Sequence, residues 1–194
     1  MERKRLVVGI TGASGTPLAL HCLRVLHDRD DIEVHLVATD AARLTAEYES
    51  SLPFEKLIAL ADVYHAEDAL DAAISSGTFP TLGMLVVPCS MKTVAGIAAG
   101  YSDNLLLRAA DVTLKEQRPL VLAARESPLS PIHLRNLATL AALPGVTIMP
   151  PVLTYYTRPD SIQDVEHHLC AKMLARFGIE VPGFKAWGIE AGPR

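Results

Sequence analysis

The chain has 194 residues, of which 49% are hydrophobic and 21% charged, with a net charge of −4. This length suits one domain over residues 1–194 with a C-terminal tail from about residue 180. No apolar run approaches the ~20 residues of a membrane span, and the acidic balance excludes a basic surface for nucleic acid. Cys22, Cys89 and Cys170 are too widely spaced for a disulfide framework or a zinc site. The chain enters a strand at once, without room for a signal peptide, so we expect a cytoplasmic protein that binds no metal.

Apolar and polar residues alternate in a pattern that predicts strands and helices in turn. In chain order we predict strand 5–11, helix 15–28, strand 32–38, helix 40–49, a helix near 67–75, strand 84–88, helices near 92–100 and 103–116, strand 119–124, helix 131–142, strand 145–149 and helix 161–177. Residues 52–66 give no clear pattern. Nearly continuous apolar strands are typical of a parallel sheet covered on both faces, so the sequence predicts a doubly wound α/β domain.

The turn after the first strand has the composition of an anion-binding site. Gly12 and Gly15 allow the backbone to approach a ligand, and Ser14 adds a hydroxyl donor. The N–H groups that open the following helix attract an anion, most often a phosphate. The turn matches neither the dinucleotide fingerprint nor the P-loop, and a plain strand-to-helix turn without ligand remains the alternative.

Polar residues also follow three later strands. Thr39 comes after the second strand, and Ser90 and Thr93 begin the helix after strand 84–88. These hydroxyls either contact a ligand or act as simple helix caps. Arg125 follows strand 119–124, where a guanidinium can grip a phosphate or carboxylate with two hydrogen bonds. The alternative is that Arg125 binds no ligand and forms an ion pair with Glu126 or Asp103.

Two further segments carry side chains that can bind a ligand. Arg108 and Lys115 lie on helix 103–116 together with Asp111, and ion pairs on a solvated face explain them equally well. Tyr155 and Tyr156 follow the last strand, where aromatic rings can wall a planar ligand or fill an interface.

The chain resembles the UbiX-type flavin prenyltransferases, including the small B subunits of phenolic-acid decarboxylase systems. The resemblance runs from Val7 to about Ile179 and rests on the order and spacing of several short motifs. These are Gly12-Ala-Ser-Gly15, Ile74-Ser-Ser-Gly77, Pro88-Cys-Ser-Met-Lys-Thr93, Asp103-Asn-Leu-Leu106, Arg108-Ala-Ala-Asp-Val112, Leu114-Lys-Glu116, Arg118-Pro-Leu-Val-Leu122, Arg125-Glu-Ser-Pro-Leu129 and Tyr156-Thr-Arg-Pro159.

The resemblance implies a flavodoxin-like or Rossmann-like three-layer sandwich that forms a homo-oligomer, typically a dodecamer, with active sites at subunit junctions. The implied reaction joins a dimethylallyl group from dimethylallyl phosphate to reduced FMN without a metal. The product, prenylated FMN, serves a UbiD-type decarboxylase. By resemblance, FMN is held by Gly12, Ala13, Ser14, Thr39, Ser90, Met91, Lys92, Thr93 and Arg125, the catalytic residues are Ser14, Glu49, Arg108, Lys115 and Glu126, and Tyr156 binds the substrate phosphate.

The sequence departs from the family pattern in three places. Lys172 stands where an arginine usually holds the substrate phosphate with the tyrosine, which weakens that grip by roughly 1–2 kcal/mol. Thr154-Tyr155 replaces Ala/Gly-Phe, and Asp40 replaces a common lysine.

Two other functions stay open from the sequence. Lys172 favours a non-catalytic subunit that carries FMN to a decarboxylase. An oxidative cysteine decarboxylase would need an asparagine that is missing from Pro88-Cys-Ser-Met-Lys-Thr93.

Overall fold

A computed structural model describes residues 3–184 and 186 and contains one six-stranded sheet. The strands are β1 Lys4–Ile10, β2 Ile32–Ala38, β3 Val63–His65, β4 Met84–Cys89, β5 Leu120–Ala124 and β6 Val146–Ile148. Their order is β3-β2-β1-β4-β5-β6, and all five neighbouring pairs are parallel. The order changes direction between β1 and β4. In such sheets ligands bind outside the carboxyl ends of the strands at this point.

Helices cover both faces of the sheet. They are α1 Thr16–His27, α2 Asp40–Glu49, α3 Phe54–Ile58, α4 Met91–Ala99, α5 Leu105–Lys115, α6 Pro131–Ala141 and α7 Ile162–Leu174. Alternate residues of a strand point to opposite faces, so Leu6 and Val8 pack with α1 and α7, whereas Val7 packs with α4 and α5. The predicted doubly wound, three-layer α/β fold is confirmed.

The segment between β2 and β4 differs from the sequence prediction. Residues 52–66 contain α3 and β3, and the helix predicted near 67–75 is wrong, because only a short 3-10 helix, Ala73–Ser75, forms there. Hydrogen bonds from α5 to this segment explain the difference. The N–H of Leu105 donates to the carbonyl of Glu67 over 2.7 Å, and Arg108 Nε donates to the carbonyl of Ser75 over 3.2 Å. Carbonyl groups that accept hydrogen bonds from α5 are not available for the hydrogen bonds of a helix within residues 67–75.

The end of the described chain packs on the core. Ile179 and Val181 are buried beside α1 and α7, whereas the rest of the predicted tail, residue 185 and residues 187–194, lies outside the described residues. Within residues 3–184 and 186, no helix combines the length and apolar character that crossing a membrane requires. The same residues contain no cluster of three or more His, Cys, Asp or Glu side chains that could hold a metal ion.

Candidate functional site

Hydrogen bonds connect the carboxyl ends of the four strands β1, β2, β4 and β5. Thr11 has a buried hydroxyl that donates to the Pro88 carbonyl over 2.8 Å and accepts from the Ser90 N–H over 2.8 Å. The N–H of Thr39 donates to the end of β1, and that of Arg125 donates to the end of β4, each over 3.0 Å. The loops after β1, β2, β4 and β5 therefore form one edge. It carries all the residues predicted to bind FMN: Gly12, Ala13, Ser14, Thr39, Ser90, Met91, Lys92, Thr93 and Arg125.

Thr11 is a residue of this edge that the sequence did not single out. Replacing it by valine leaves the partly buried N–H of Ser90 without its acceptor and removes the bond to the Pro88 carbonyl, which together cost about 2 kcal/mol. We expect Thr11→Val to lower the melting temperature by about 4–8 °C in calorimetry. Thr11→Ser keeps the hydroxyl and is the matched control. Equal melting temperatures for the valine variant and the wild type would contradict this role of the hydroxyl.

The strand-end hydroxyls act as helix caps. Thr39 accepts from an N–H in the first turn of α2 over 3.1 Å, and Ser90 accepts from the Thr93 N–H over 3.3 Å at the start of α4. The hydroxyls of Ser90 and Thr93 lie 3.1 Å apart. A capping oxygen still has a proton to donate, and the exposed Lys92 adds positive charge beside these groups. Hydroxyl donors, a helix N-terminus and an ammonium group together suit a phosphate.

A carboxylate that was not predicted faces the start of α2. Burial raises the pKa of Glu67, the nearby Asp40 raises it further, and the backbone N–H of Asp40 and the charge of Lys92 act in the opposite direction. Glu67 follows β3 in the segment that the sequence assigned to a helix. Its position beside Lys92 depends on the bond to α5 and gives no signal in the sequence.

The N-terminus of α1 binds a carboxylate group of the chain itself. Glu49, at the last position of α2, accepts from the N–H of Gly15 over 2.8 Å and from the N–H of Thr16 over 3.0 Å. Burial favours the neutral acid, but the hydrogen bonds from the Ser14 hydroxyl and these two amides outweigh it and lower the pKa of Glu49. The sequence predicts a phosphate at these N–H groups. In the structure the carboxylate of Glu49, a residue distant in sequence, accepts their hydrogen bonds instead.

Glycine is required at two positions of this turn. Gly15 has φ of 128°, in the left-handed region that other residues avoid. A Cβ at Gly12 would lie 2.5 Å from the Cβ of Ala41 in α2. The close approach of the turn to α2 brings Glu49 within reach of α1.

An open cleft of about 360 Å³ lies beside this turn, on the face of the sheet covered by α1 and α7. Its polar side chains are Ser14, Glu49 and Glu166. The rest of its wall is apolar and comprises Pro17, Leu18, Pro88, Ala123, Pro151 and Leu169. Such a cleft suits a small group with an apolar part and a few polar atoms. Glu166 was not predicted, since one glutamate on an amphipathic helix looks like a surface residue.

Arg108 and Lys115 lie apart from the cleft in a single chain. Arg108 Nη1 pairs with Asp111 over 2.7 Å, as the spacing predicts, whereas Lys115 Nζ pairs with Glu116 over 2.5 Å instead of with Asp111. Lys115 ends α5, just before the start of β5. Helices of a parallel α/β fold run opposite to the strands, so Lys115 lies at the amino edge, across the sheet from Ser14 and Glu49.

The loop after β5 presents Arg125 and Glu126 to solvent. The Glu126 carboxylate accepts from the Ser127 N–H over 3.0 Å. Within the part of the chain that the structure describes, Arg125 has no ion pair with Glu126 or Asp103, the alternative partners that the sequence offered. Its guanidinium is exposed next to the capped start of α4.

Tyr156 and Lys172 flank a buried histidine at another patch. The Tyr156 hydroxyl lies 3.4 Å from His168 Nε2, and Lys172 is one turn further along α7. Burial lowers the pKa of His168, and the charges of Lys172 and His167 lower it further. Neither Tyr156 nor Lys172 lines the cleft that contains Glu49. The two predicted phosphate ligands thus share a patch, but a single chain does not bring them to Ser14.

The parallel sheet, its switch point and the phosphate-type donors at its carboxyl edge define an α/β nucleotide-binding protein. A family model described as Flavoprotein matches residues 1–173. Flavin prenyltransferase LpdB of Lactiplantibacillus plantarum is 52% identical over 184 residues, which cover 95% of this chain and 98% of that protein.

Solved structures give the same result. The dodecameric FMN-dependent UbiX-like decarboxylase from Escherichia coli O157:H7 superposes with a TM-score of 0.92 at 47% identity, over 94% of this chain and 98% of that one. AnUbiX (PadA1) in complex with FMN and dimethylallyl pyrophosphate also has a TM-score of 0.92, at 44% identity over 96% and 98% of the two chains. The chain belongs to the flavoprotein family, within its UbiX-like flavin prenyltransferases.

Proposed function

We propose that this protein transfers a dimethylallyl group from dimethylallyl phosphate to reduced FMN, and that a UbiD-type decarboxylase takes up the prenylated FMN. The observation that carries the proposal is the position of the Ser14–Glu49 pair. It joins an apolar cleft that suits a five-carbon chain to the strand-end hydroxyls that suit the FMN phosphate. The similarity to flavin prenyltransferases along nearly the whole chain supports the same activity.

The residues at the carboxyl edge fit FMN by their chemistry. Thr39, Ser90 and Thr93 offer hydroxyl donors, and Lys92 and Arg125 offer positive charge for the phosphate. Bound and reduced, FMN supplies the nucleophilic N5 and C6 atoms. Ser14 lies between this edge and Glu49, so its hydroxyl can pass a proton to the carboxylate. The apolar cleft wall shelters an allylic group from water.

We propose that each site combines residues of two or more subunits of a homo-oligomer, with the dodecamer as the expected form. Departure of an allylic phosphate needs positive charge where negative charge develops. In one chain Arg108 and Lys115 lie on α5, on the face of the sheet opposite to α1 and α7, and neither lines the cleft. In this proposal they act at the Ser14–Glu49 cleft of a neighbouring subunit. Tyr156, Lys172 and Glu126 complete the proposed grip on the phosphate and the proton transfer.

Formation of a five-carbon adduct tests the proposed function. Purified protein is incubated anaerobically with reduced FMN and dimethylallyl phosphate, and the flavin is analysed by mass spectrometry. We expect the mass of FMN plus one dimethylallyl group. Protein that retains FMN but forms no adduct would indicate the flavin-carrier function instead, and protein that binds no FMN would overturn both.

The domain organisation and the cellular compartment of this protein are also proposals. We propose that residues 1–194 act as one flavoprotein domain in the cytoplasm. The thiols of Cys22, Cys89 and Cys170 support a reducing compartment, because all three are buried and unpaired by disulfides.

A further inference from the structure

The loop of residues 75–79 is held against the end of α5 by its carbonyl groups. Arg118 donates from Nη2 to the Gly77 carbonyl over 2.7 Å and from Nη1 to the Phe79 carbonyl over 2.8 Å. An arginine of α5 donates to the Ser75 carbonyl over 3.2 Å. Three of five consecutive carbonyl groups are thus bonded to guanidinium groups, which fixes the loop relative to α5.

Lys115 and Glu116 form an ion pair on the surface of this loop. Lys115 Nζ lies 2.5 Å from Glu116 Oε1, although adjacent residues of a helix do not face each other. The two side chains meet because Lys115 ends α5 and Glu116 is the residue that caps it. The hydrogen bond from Lys115 lowers the pKa of Glu116, so this carboxyl group is ionised at neutral pH.

Gly77 provides the space that the ion pair occupies. A Cβ at Gly77 would overlap the Glu116 carboxylate and lie 2.6 Å from Lys115 Nζ, whereas ordinary contacts begin at 3.4 Å. The φ of Gly77 lies outside the left-handed region, so the backbone itself accepts alanine at this position. The missing side chain therefore makes room for the pair and is not needed for the conformation of the loop.

The ion pair contributes little to the stability of the fold. The side chains of Lys115 and Glu116 are 46% and 35% exposed, and water screens the attraction between charges at such sites. An alanine at position 77 displaces the ends of two flexible side chains by about 1 Å. For a catalytic group, misplacement by about 1 Å can slow a reaction about 100-fold. The contacts of this pair thus affect catalysis much more than folding.

We infer that Gly77 and Glu116 are positioning residues, which hold the Lys115 ammonium group where it meets the departing phosphate in the site of a neighbouring subunit. This rests on the proposed function, in which Lys115 is the catalytic residue and the other two act through it. One Glu116 oxygen occupies one of the three N–H donors of the ammonium group and leaves two for the phosphate.

Gly77→Ala tests this inference by moving the pair. We expect adduct formation from reduced FMN and dimethylallyl phosphate to slow by about 10- to 100-fold, while the FMN affinity stays within about twofold and the melting temperature within about 3 °C of the wild type. In Lys115→Ala protein the same substitution should change the rate by less than about twofold, because the group that it displaces is absent. Equal slowing in both backgrounds, or wild-type activity of Gly77→Ala, would overturn the inference.

Glu116→Ala tests the other contact without crowding the loop. It should slow adduct formation by about tenfold, and the double variant with Gly77→Ala should be no slower than the slower single variant. Glu47→Ala is the matched control, because it removes an exposed glutamate of α2 and should leave the rate unchanged. A wild-type rate in Glu116→Ala would overturn the positioning role of Glu116, whether or not Gly77→Ala folds.

Binding of an unreactive ester distinguishes this inference from the proposed function. Protein loaded with oxidised FMN is titrated calorimetrically with 3-methylbutyl phosphate. We expect Gly77→Ala and Lys115→Ala to weaken binding by similar factors of about tenfold, because both withdraw the same ammonium group from the phosphate. This result without adduct formation by the wild type would overturn the proposed reaction and support the positioning of Lys115. Equal affinities of the wild type and Gly77→Ala would overturn the positioning even if the wild type forms the adduct.

Discussion

Mixed oligomers of two inactive variants are expected to recover about one quarter of the wild-type prenyl-transfer rate. Glu49→Gln removes the charge beside the cleft, and Lys115→Ala removes a cation at the opposite edge of the chain. Each alone should slow transfer by about 100-fold or more without loss of FMN. If one subunit supplies Glu49 and another supplies Lys115, random assembly leaves about one site in four with both native residues.

A second mixture controls for the state of the oligomer. Glu49→Gln chains are co-assembled with chains that carry both substitutions, so that no subunit supplies a native Glu49. This mixture should stay inactive. Two affinity tags, one on each variant, select the mixed oligomers before the rate is measured. Absence of recovery in the first mixture would mean that Glu49 and Lys115 do not act at a shared site between subunits.

Loss of the Arg125 guanidinium should weaken FMN binding by about 10- to 100-fold, the effect of removing a charge-assisted hydrogen bond to phosphate. Arg125 is exposed at the end of β5, and its N–H is fixed to β4, which directs the loop toward the capped start of α4. The affinity of Arg125→Ala is measured by quenching of flavin fluorescence. Arg125→Lys keeps the charge but cannot donate two parallel hydrogen bonds, so its FMN affinity should lie between those of Arg125→Ala and the wild type.

Arg135→Ala is the control for a general change of charge. Arg135 is an exposed arginine on α6, and its loss should leave the FMN affinity within about twofold of the wild type, as expected for a surface change away from the site. FMN retention in Arg125→Ala equal to that of the wild type would remove Arg125 from the proposed phosphate grip. The same result would leave the Thr39, Ser90 and Thr93 hydroxyls as the proposed ligands.

Local sequence patterns determined the alternation of strands and helices. β1 and β2 consist of seven residues each that are mostly buried on both faces, and this produces the continuous apolar runs that predict a parallel sheet. The caps at Thr39 and Ser90 were likewise visible, because a capping residue and the turn it begins are adjacent in the chain. Segment 67–75 was mispredicted, since the carbonyls of Glu67 and Ser75 accept hydrogen bonds from α5, which is distant in sequence.

By itself the sequence determined the class of fold, the loops that carry the residues predicted to bind FMN, and the family resemblance, since these follow from neighbours along the chain and from motif spacing. The tertiary structure alone decided that Glu49 fills the N-terminus of α1, that Glu166 enters the cleft and that Lys115 lies across the sheet from both. These positions depend on how elements separated by tens of residues pack together, which no local pattern encodes.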